Sequence, residues 1–244
     1  MVNVIYEARG RAREYSELAA NLYRGCDHGC TYCYAPLATR RKRDDFVRSQ
    51  PRDNIINDFI KDAERLGNSK ESRYILLSFT TDPYQKIDVR YMLTRKAIKI
   101  LHNNNLKVSI LTKGGKRSER DFDLLADHPE LSQYGCTLVF YDEALRKEKE
   151  PGAAPNDERI EALKKAHDFG IYTYVSLEPV WFPEDALRFI DETHEFVDLY
   201  KVGKLNYDSH QKDIDWHKFR EDVIEKLEKY GKKYYIKIDL EKFA

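Results

Sequence analysis

The chain has 244 residues and a mass of 28.8 kDa, with 41% hydrophobic and 34% charged residues. This composition supplies a core beneath a heavily charged surface. The 42 Lys and Arg residues balance 42 Asp and Glu residues, which excludes a strongly basic nucleic-acid-binding protein and an acidic disordered tail. No apolar run is long enough to span a membrane, and the N-terminal stretch lacks the apolar centre of a signal peptide. We therefore expect a cytoplasmic protein with no membrane partner.

Short runs rich in β-branched and aromatic residues alternate along the chain with longer stretches of helical periodicity. The predicted strands are Leu18–Arg24, Tyr74–Thr80, Lys107–Thr112, Cys136–Tyr141, Ile171–Leu177 and Val197–Val202, with a further strand over Tyr234–Ile238. The predicted helices are Asn54–Leu66, Met92–His102, a capping-box helix from Ser118 through Leu125, Asn156–Phe169, Glu184–Thr193 and Trp216–Tyr230.

This order predicts six β-then-α units. Such units favour parallel strands joined by crossover helices, and six are too few for a closed eight-stranded barrel. An open partial barrel and a doubly wound sheet both fit, and both place ligand sites at the carboxyl ends of the strands. We expect one domain over residues 1–244, with a core of about 18–230.

Three of the four cysteines, Cys26, Cys30 and Cys33, fall within eight residues. A disulfide framework is not expected in a reduced compartment, whereas soft thiolates select zinc, copper(I) or iron–sulfur clusters. A closed zinc site needs a fourth ligand, which His28 or Cys136 would have to supply. The alternative is a four-iron cluster in which one iron has no protein ligand.

The segment NLYRGCDHGCTYCYA, from Asn21, carries a CxxxCxxC motif with an aromatic residue before the third cysteine. This motif resembles that of the radical S-adenosylmethionine (SAM) superfamily. Three more segments resemble the spore-photoproduct-lyase-like subgroup. They are TTDPYQ at 80–85, ILTKG at 110–114 followed by Arg120 and Asp121, and EPGAAPNDERIEALKKAHDFGI at 150–171.

The resemblance implies a partial (β/α)6 barrel and a [4Fe–4S] cluster held by the three cysteines. It also implies that the open iron binds SAM, whose one-electron cleavage yields a 5′-deoxyadenosyl radical that abstracts hydrogen from a substrate. An electron donor such as flavodoxin or ferredoxin is then expected. The subgroup suggests a nucleic acid or nucleotide as substrate, with a protein or peptide substrate and a non-catalytic zinc-binding module as the alternatives.

The resemblance also implies roles for individual residues. Tyr32 would lie against the adenine of SAM, Asp82 would pair with its ammonium group, and Tyr34 would face the substrate. The remaining expected SAM contacts are Thr80, Thr81, Lys113 and Glu178. Simple alternatives remain for several of these residues, because Asp82-Pro83 is also ordinary turn chemistry and Lys113 could be a solvated loop lysine.

Three further positions carry expectations. Phe79 stands where spore photoproduct lyase has a hydrogen-donating cysteine, and a phenyl ring cannot donate hydrogen, which puts thymine-dimer repair in doubt. Cys136 is expected to be a buried core thiol. The run Arg40–Arg43 could hold nucleic-acid phosphates near the barrel mouth, although short charge runs are usually solvated surface.

Overall fold

In a computed structural model that describes residues 3–244, eight of the ten strands form one sheet. Met1 and Val2, where the stretch without signal-peptide character begins, lie outside the described part. The strands are β1 (Ile5–Glu7), β2 (Leu18–Ala20), β3 (Tyr23–Arg24), β4 (Gln50–Pro51), β5 (Tyr74–Leu77), β6 (Lys107–Thr112), β7 (Ser132–Thr137), β8 (Tyr172–Leu177), β9 (Leu199–Val202) and β10 (Lys233–Ile236).

Helices connect the strands of the sheet. They are α1 (Ala35–Ala38), α2 (Arg43–Phe46), α3 (Ile55–Asn68), α4 (Asp88–Tyr91), α5 (Leu93–Asn103), α6 (Phe122–Asp127), α7 (Glu143–Lys149), α8 (Asn156–Asp168), α9 (Pro183–Thr193), α10 (Trp216–Lys229) and α11 (Ile238–Glu241). Short 3-10 helices cover Gly10–Glu14, Gly115–Asp121, Pro129–Leu131 and Ser209–Lys212. None of the helices within residues 3–244 is long and apolar enough to cross a membrane.

The strand order decides between the two architectures that the sequence left open. The large sheet runs β1-β2-β5-β6-β7-β8-β9-β10, and every neighbouring pair in it from β2 onward is parallel. Each new parallel strand joins beside its predecessor, so the order never reverses as it does in a doubly wound sheet. Strands β1 and β10 are the two edges. The fold is therefore the predicted open barrel of βα units, with β1 added antiparallel at one edge.

The layers follow from the sequence pattern. Ile75, Leu76 and Leu77 of β5 are at most 1% exposed, as expected for a parallel strand covered on both faces. On α3, Phe59 and Ala63 are four residues apart and fully buried, so one face of this helix packs on the sheet. The predicted last strand is confirmed as β10, paired in parallel with β9.

The fourth predicted strand, Cys136–Tyr141, is displaced along the chain: β7 covers Ser132–Thr137. Gly135 hides the strand from sequence reasoning, because glycine is depleted in strands. In the barrel a side chain at this position would meet the Tyr174 ring at 2.5 Å. Tyr174 is 1% exposed, and its hydroxyl donates to the Ile110 carbonyl at 2.7 Å. Gly135 therefore makes room for a buried ring.

The predicted helix from Ser118 is also wrong in its start. Residues Gly115–Asp121 form a 3-10 helix, and α6 begins only at Phe122. The Ser118 hydroxyl bonds to the Gly115 carbonyl at 2.6 Å and to Tyr134 Oη at 2.7 Å, so it does not cap an α-helix. The first predicted strand is likewise split, because β2 ends at Ala20 and β3 pairs with β4 in a separate small sheet.

The gap between the barrel edges is bridged by side chains of residues 10–15, which we name the closing segment. Glu14 Oε1 accepts from the Ile238 amide at 2.7 Å, and Arg11 pairs with Asp239 at 2.5 Å. Lys201 of β9 donates to the Tyr15 carbonyl at 2.8 Å. These contacts join the two ends of the described chain across the opening.

Candidate functional site

A cavity of about 570 Å³ opens at the carboxyl ends of the strands. Its lining includes all three clustered cysteines and the segments that follow β5, β6, β8 and β9. The predicted site residues in this lining are Cys26, Cys30, Cys33, Tyr32, Tyr34, Thr80, Thr81, Asp82, Lys113 and Glu178. The fold thus brings every residue of the predicted site to one cavity, although these residues span more than half of the chain.

The loop that carries the cysteines is held closely from one side by the end of α2 and the residues that follow it. The Cys26 amide donates to the Phe46 carbonyl at 2.9 Å, and Ser49 Oγ donates to the Gly25 carbonyl at 3.2 Å. Gly25 has φ +84°, and a side chain there would overlap the Phe46 carbonyl oxygen. Only glycine allows this close approach.

The basic run Arg40–Arg43 lies beside the same loop. Arg43 donates from Nη1 to the Cys30 carbonyl at 2.8 Å and from Nη2 to the Cys33 carbonyl at 3.2 Å. Arg41 donates to the Asp45 carbonyl at 2.7 Å. At least two members of the run therefore have structural contacts, and Arg43 directly braces the cysteine loop.

A second side of the cysteine loop is held by residues 149–154, which we name the clamp segment. The Thr31 amide donates to the Lys149 carbonyl and the Gly152 amide to the His28 carbonyl, both at 2.8 Å. Gly152 lies so close that a side chain would overlap the Asp27 carbonyl oxygen and meet His28 Cα at 2.7 Å. The clamp segment thus presses directly against the loop backbone.

The clamp segment also carries Glu150, which forms a buried ion pair with Arg159 of α8. Glu150 and Arg159 have fully buried side chains, and Arg159 Nη2 donates to Glu150 Oε2 at 2.5 Å. The other Glu150 oxygen accepts from the Tyr32 hydroxyl and lies 4.0 Å from Lys113 Nζ. Burial alone would raise the pKa of Glu150, but the charges of Arg159 and Lys113 outweigh it, so this pKa is lowered. Glu150 therefore stays ionised and fixes both predicted SAM contacts.

Tyr32 also packs in an aromatic group on the opposite side. Its ring centroid lies 6.0 Å from that of Phe140 and 6.5 Å from that of Trp181, and Lys113 Nζ lies 5.8 Å from it. The predicted adenine contact is thus held both by its hydroxyl and by its ring. Its role toward SAM stays a prediction.

Asp82 is anchored by protein donors at the ends of β5 and β6. Its oxygens accept from Thr112 Oγ1 at 2.7 Å and from the amides of Tyr84 and Lys113 at 2.8 Å each. Burial raises the pKa of this carboxyl, but the facing His28 and the three donors outweigh it, so the pKa is lowered. The ammonium group of a ligand would have to share the Asp82 oxygens with these three protein donors. The predicted ion pair with SAM stays a prediction.

His28 has partners on both ring nitrogens, so it does not offer a free metal ligand. Arg117 can only donate, and its Nη2 lies 3.1 Å from His28 Nε2, which must therefore accept. The proton then sits on Nδ1, which faces Asp82 Oδ2 at 3.4 Å. Burial lowers the pKa of His28 to about 4, against the opposing effect of Asp82.

Two buried hydroxyls on the cavity wall lack hydrogen-bond partners within residues 3–244. Ser78 Oγ and Thr81 Oγ1 belong to residues that are 4% and 9% exposed. Buried hydroxyls are normally satisfied, so this pair indicates a polar ligand group. The neighbouring Thr80 amide is already used, since it donates to Asn21 Oδ1 at 2.8 Å.

Phe79 and Tyr34 form part of the wall nearest the cavity opening. Their ring centroids lie 6.0 Å apart, and the Tyr34 hydroxyl donates to the Phe79 carbonyl at 3.2 Å. Tyr34 is 44% exposed and lines the cavity, and its role toward a substrate stays a prediction. The phenyl ring of Phe79 thus lies on the cavity wall at the position where the resemblance to spore photoproduct lyase would place a hydrogen-donating thiol.

Glu178 lies at the end of the cavity near the closing segment. Its Oε2 accepts from the Tyr15 hydroxyl at 2.8 Å and from Lys237 Nζ, and Tyr15 also bonds to Ser176 Oγ at 2.7 Å. The carboxylate is therefore oriented by groups from both barrel edges. Contact with a ribose stays a prediction.

The arrangement of possible metal ligands bears on the choice between a cluster and a single zinc ion. In the described part of the chain, no three Cys, His, Asp or Glu side chains are arranged to hold one metal ion. Both candidates for a fourth zinc ligand are also committed, because His28 is hydrogen-bonded and Cys136 is 1% exposed within β7, a core thiol as expected. In a four-iron cluster each thiolate binds a different iron, so the thiols need not meet at one point.

Sequence reasoning missed several residues that shape the site. Glu150 and Arg159 lie within the recognised segment 150–171, but neither was singled out. The sequence did contain one indication of their role, which is a pair of opposite charges nine residues apart in a segment predicted to be a loop followed by a helix. Tyr15 and Lys237 had no local signal, because they meet Glu178 only through the closure of the barrel.

The chain combines an open (β/α) barrel with a loop of free cysteines at the carboxyl ends of its strands. The sequence model of the Radical SAM superfamily matches residues 20–197, and the chain belongs to this superfamily. It is thus a radical SAM enzyme, and membership implies an iron–sulfur cluster and SAM. This confirms three predictions: the resemblance to the radical SAM superfamily, the fold class and the assignment as an enzyme.

Three similar proteins illustrate this family. An uncharacterized protein of Methanocaldococcus jannaschii is 31% identical over 192 residues, which cover 76% of this chain and 69% of that protein. A spore photoproduct lyase mutant with bound SAM and dinucleoside spore photoproduct matches with a TM-score of 0.71 and 16% identity, over 96% of this chain and 78% of that one. Streptococcus suis SuiB bound to SAM matches with a TM-score of 0.66 and 15% identity, over 89% of this chain and 49% of that one. The last two show similarity of fold alone.

Proposed function

We propose that Cys26, Cys30 and Cys33 hold a [4Fe–4S] cluster and that the adjoining cavity binds SAM. The observation that carries this proposal is the placement of three free thiols beside unpartnered buried hydroxyls in one cavity. When bound, the pair supplies one-electron cleavage of SAM to methionine and a 5′-deoxyadenosyl radical that takes a hydrogen atom from the substrate.

The residues of this chain contribute binding and orientation. Tyr32, held by Glu150, presents a fixed ring for the adenine, and Lys113 places a cation beside it for the SAM carboxylate. Ser78 and Thr81 offer hydroxyls to polar groups of the ligand, and Glu178 offers its carboxylate to the ribose. The cavity walls restrict access of water to the reacting atoms.

For the substrate we propose a nucleic acid or nucleotide, and for the electron source a flavodoxin or ferredoxin. Support for the substrate comes from a structure with the same fold, the spore photoproduct lyase mutant, whose ligand is a dinucleoside photoproduct. The exposed cations of the run Arg40–Arg43 lie beside the cysteine loop and could contact phosphates. With Phe79 on the wall, a substrate radical would have to take its hydrogen from a source other than this position.

The test is anaerobic reconstitution with iron and sulfide, followed by metal analysis and a SAM-cleavage assay with dithionite. We expect about four irons for each chain, no requirement for zinc, and formation of 5′-deoxyadenosine. Replacement of Cys26, Cys30 or Cys33 by Ala should abolish both iron binding and cleavage. Cys136→Ala is the matched control, because this thiol is buried in β7 and does not line the cavity.

Two outcomes would refute the proposal. Retention of one zinc and no iron would support a zinc-binding module, and equal behaviour of wild-type protein and the cysteine variants would exclude the cluster. Stimulation of SAM cleavage by a peptide but by no nucleic acid would keep the chemistry and replace the substrate.

A further inference from the structure

The outer end of the cavity, away from the cysteine loop, concentrates positive charge. Arg9, Arg11, Lys204 and Lys237 line it, and Glu178 is the acidic side chain among the lining residues there. This imbalance is local, because the whole chain has a formal net charge of zero. A cavity wall rich in one charge attracts and holds ligands of the opposite charge.

Two of these cations are already neutralised by the protein. Lys237 pairs with Glu178 and lies 3.8 Å from Glu14, and Arg11 pairs with Asp239 at 2.5 Å. These ion pairs join the barrel edges. Because both cations are paired, they contribute little net positive charge for binding a ligand.

Lys204 differs because its ammonium group is buried without an opposite charge. The residue is only 9% exposed, and its Nζ donates to the neutral Gln211 Oε1 at 3.0 Å. Its Nζ also lies 5.1 Å from the centroid of the Trp216 ring. No carboxylate of residues 3–244 lies within ion-pair distance. Burial lowers the pKa of Lys204, and the charge of Asp239, which is itself paired with Arg11 and Lys242, opposes this effect without forming an ion pair with Lys204. The ammonium therefore keeps a charge that an anionic ligand can bind.

Arg9 is a second cation without an ion-pair partner, but unlike Lys204 it is exposed. Its side chain is exposed and lines the same cavity, and it forms no ion pair with any residue that the structure describes. Arg9 and Lys204 therefore bring two cations with donor hydrogens to the lining of one cavity. Such a pair suits a phosphate group.

Tyr207 adds an aromatic surface at the cavity mouth. Its side chain is 85% exposed, and the residue has φ +64°, which is uncommon for a residue with a side chain. The Arg11 guanidinium lies 5.7 Å from the ring centroid, and Arg11 Nη1 is 3.4 Å from the hydroxyl. An exposed ring next to cations is the arrangement on which proteins stack nucleic-acid bases.

We propose that the outer end of the cavity binds one nucleotide unit of the substrate, with a phosphate at Arg9 and Lys204 and a base stacked on Tyr207. The inference rests on the proposed function, because the subsite shares its cavity with the cysteines. At about 570 Å³ the cavity is in the range for small ligands, so a macromolecule could insert only a short piece. The subsite is separate from the run Arg40–Arg43.

The test is fluorescence anisotropy of the reconstituted protein with a labelled single-stranded oligonucleotide of about ten nucleotides. We expect Lys204→Gln and Arg9→Gln each to weaken binding about tenfold, and each to lower the salt slope by about one. Tyr207→Ala should weaken binding about tenfold with the salt slope unchanged, since stacking releases no counterions. Because Arg9 and Tyr207 are exposed, these two variants should fold normally.

Lys218→Gln is the matched control, since this lysine lies on α10 outside the cavity with its side chain 69% exposed. It should bind the oligonucleotide as the wild type does. The inference is overturned if Arg9→Gln and Tyr207→Ala bind like Lys218→Gln, or if an acidic peptide displaces the oligonucleotide as effectively as unlabelled strand.

Substrate-free SAM cleavage separates this inference from the proposed function. Formation of 5′-deoxyadenosine without any oligonucleotide binding would refute the nucleotide subsite alone. Failure of the wild type to cleave SAM would refute the proposed function whatever the binding result.

Discussion

The two ends of the cavity are built by different means. At the cysteine end, backbone amides and carbonyls hold the loop, and Gly25 and Gly152 allow chain segments to touch. At the outer end, long charged side chains from the closing segment, β9 and the residues after β10 meet across the open barrel edge. Backbone contacts define positions tightly, whereas long side chains can adjust. A fixed end suits a cofactor, and an adaptable end suits a substrate.

The largest effect is expected at the buried ion pair beneath Tyr32. Glu150→Gln preserves the shape but leaves the Arg159 guanidinium buried without an opposite charge, which should cost about 3–5 kcal/mol in the free energy of unfolding. Anaerobic urea denaturation measures this loss. Glu148→Gln removes an exposed carboxylate two residues away and should change stability by less than about 0.5 kcal/mol. Equal stability of the two variants would show that Arg159 needs no partner.

The next effect concerns the contact between the clamp segment and the cysteine loop. Gly152→Ala should force the two backbones apart, lowering stability by about 2–3 kcal/mol and reducing the iron retained after reconstitution. The control is Gly170→Ala, where a side chain would meet nothing within 4 Å but φ is +75°. That variant should cost about 1 kcal/mol with full iron content. Full iron content in Gly152→Ala would contradict a role in holding the loop.

A smaller effect is expected where the closing segment reaches the outer end. Tyr15→Phe removes the hydroxyl that joins Ser176 to Glu178 and should lower stability by about 1–2 kcal/mol in the same urea assay. Tyr235→Phe removes a more exposed hydroxyl, which is 3.3 Å from Glu14 Oε1, and should have almost no effect. If both variants behaved alike, the Tyr15 bridge would not help to close the barrel.

The smallest effect is a pH dependence at the same closure. Burial, with a further contribution from Lys237, lowers the pKa of Lys201 to about 8, below its ordinary 10.5. Between these values the unfolded chain keeps a proton that the folded chain has released, so stability rises with pH. The wild type should gain about 1 kcal/mol from pH 7 to pH 9 relative to Lys201→Met.

Thermal melts at the two pH values measure this gain. The exposed Lys233→Met is the control and should retain the wild-type pH dependence. A Lys201→Met protein that still gained stability like the wild type would assign the dependence to another group.

The local pattern of the sequence determined the order of strands and helices and the chemistry of the cysteine loop. Alternating buried strands and amphipathic helices predicted parallel βα units, because hydrophobic periodicity is a property of neighbouring residues, but they left an open barrel and a doubly wound sheet both possible. The spacing of Cys26, Cys30 and Cys33 selected soft-metal chemistry for the same reason. Where a local signal was misleading, as at Gly135 and Ser118, the predicted element was displaced, since packing against Tyr174 and Tyr134 overrode local preference.

Only the tertiary structure decided which distant groups meet. The pairing of Glu150 with both Arg159 and Tyr32, the two partners of His28, and the unpaired ammonium of Lys204 depend on how far the strands wind and where the barrel stops. The closing segment meets residues that are about 190–220 positions away along the chain. Such contacts leave no periodic trace in the sequence, because each partner satisfies its own local pattern equally well without the other.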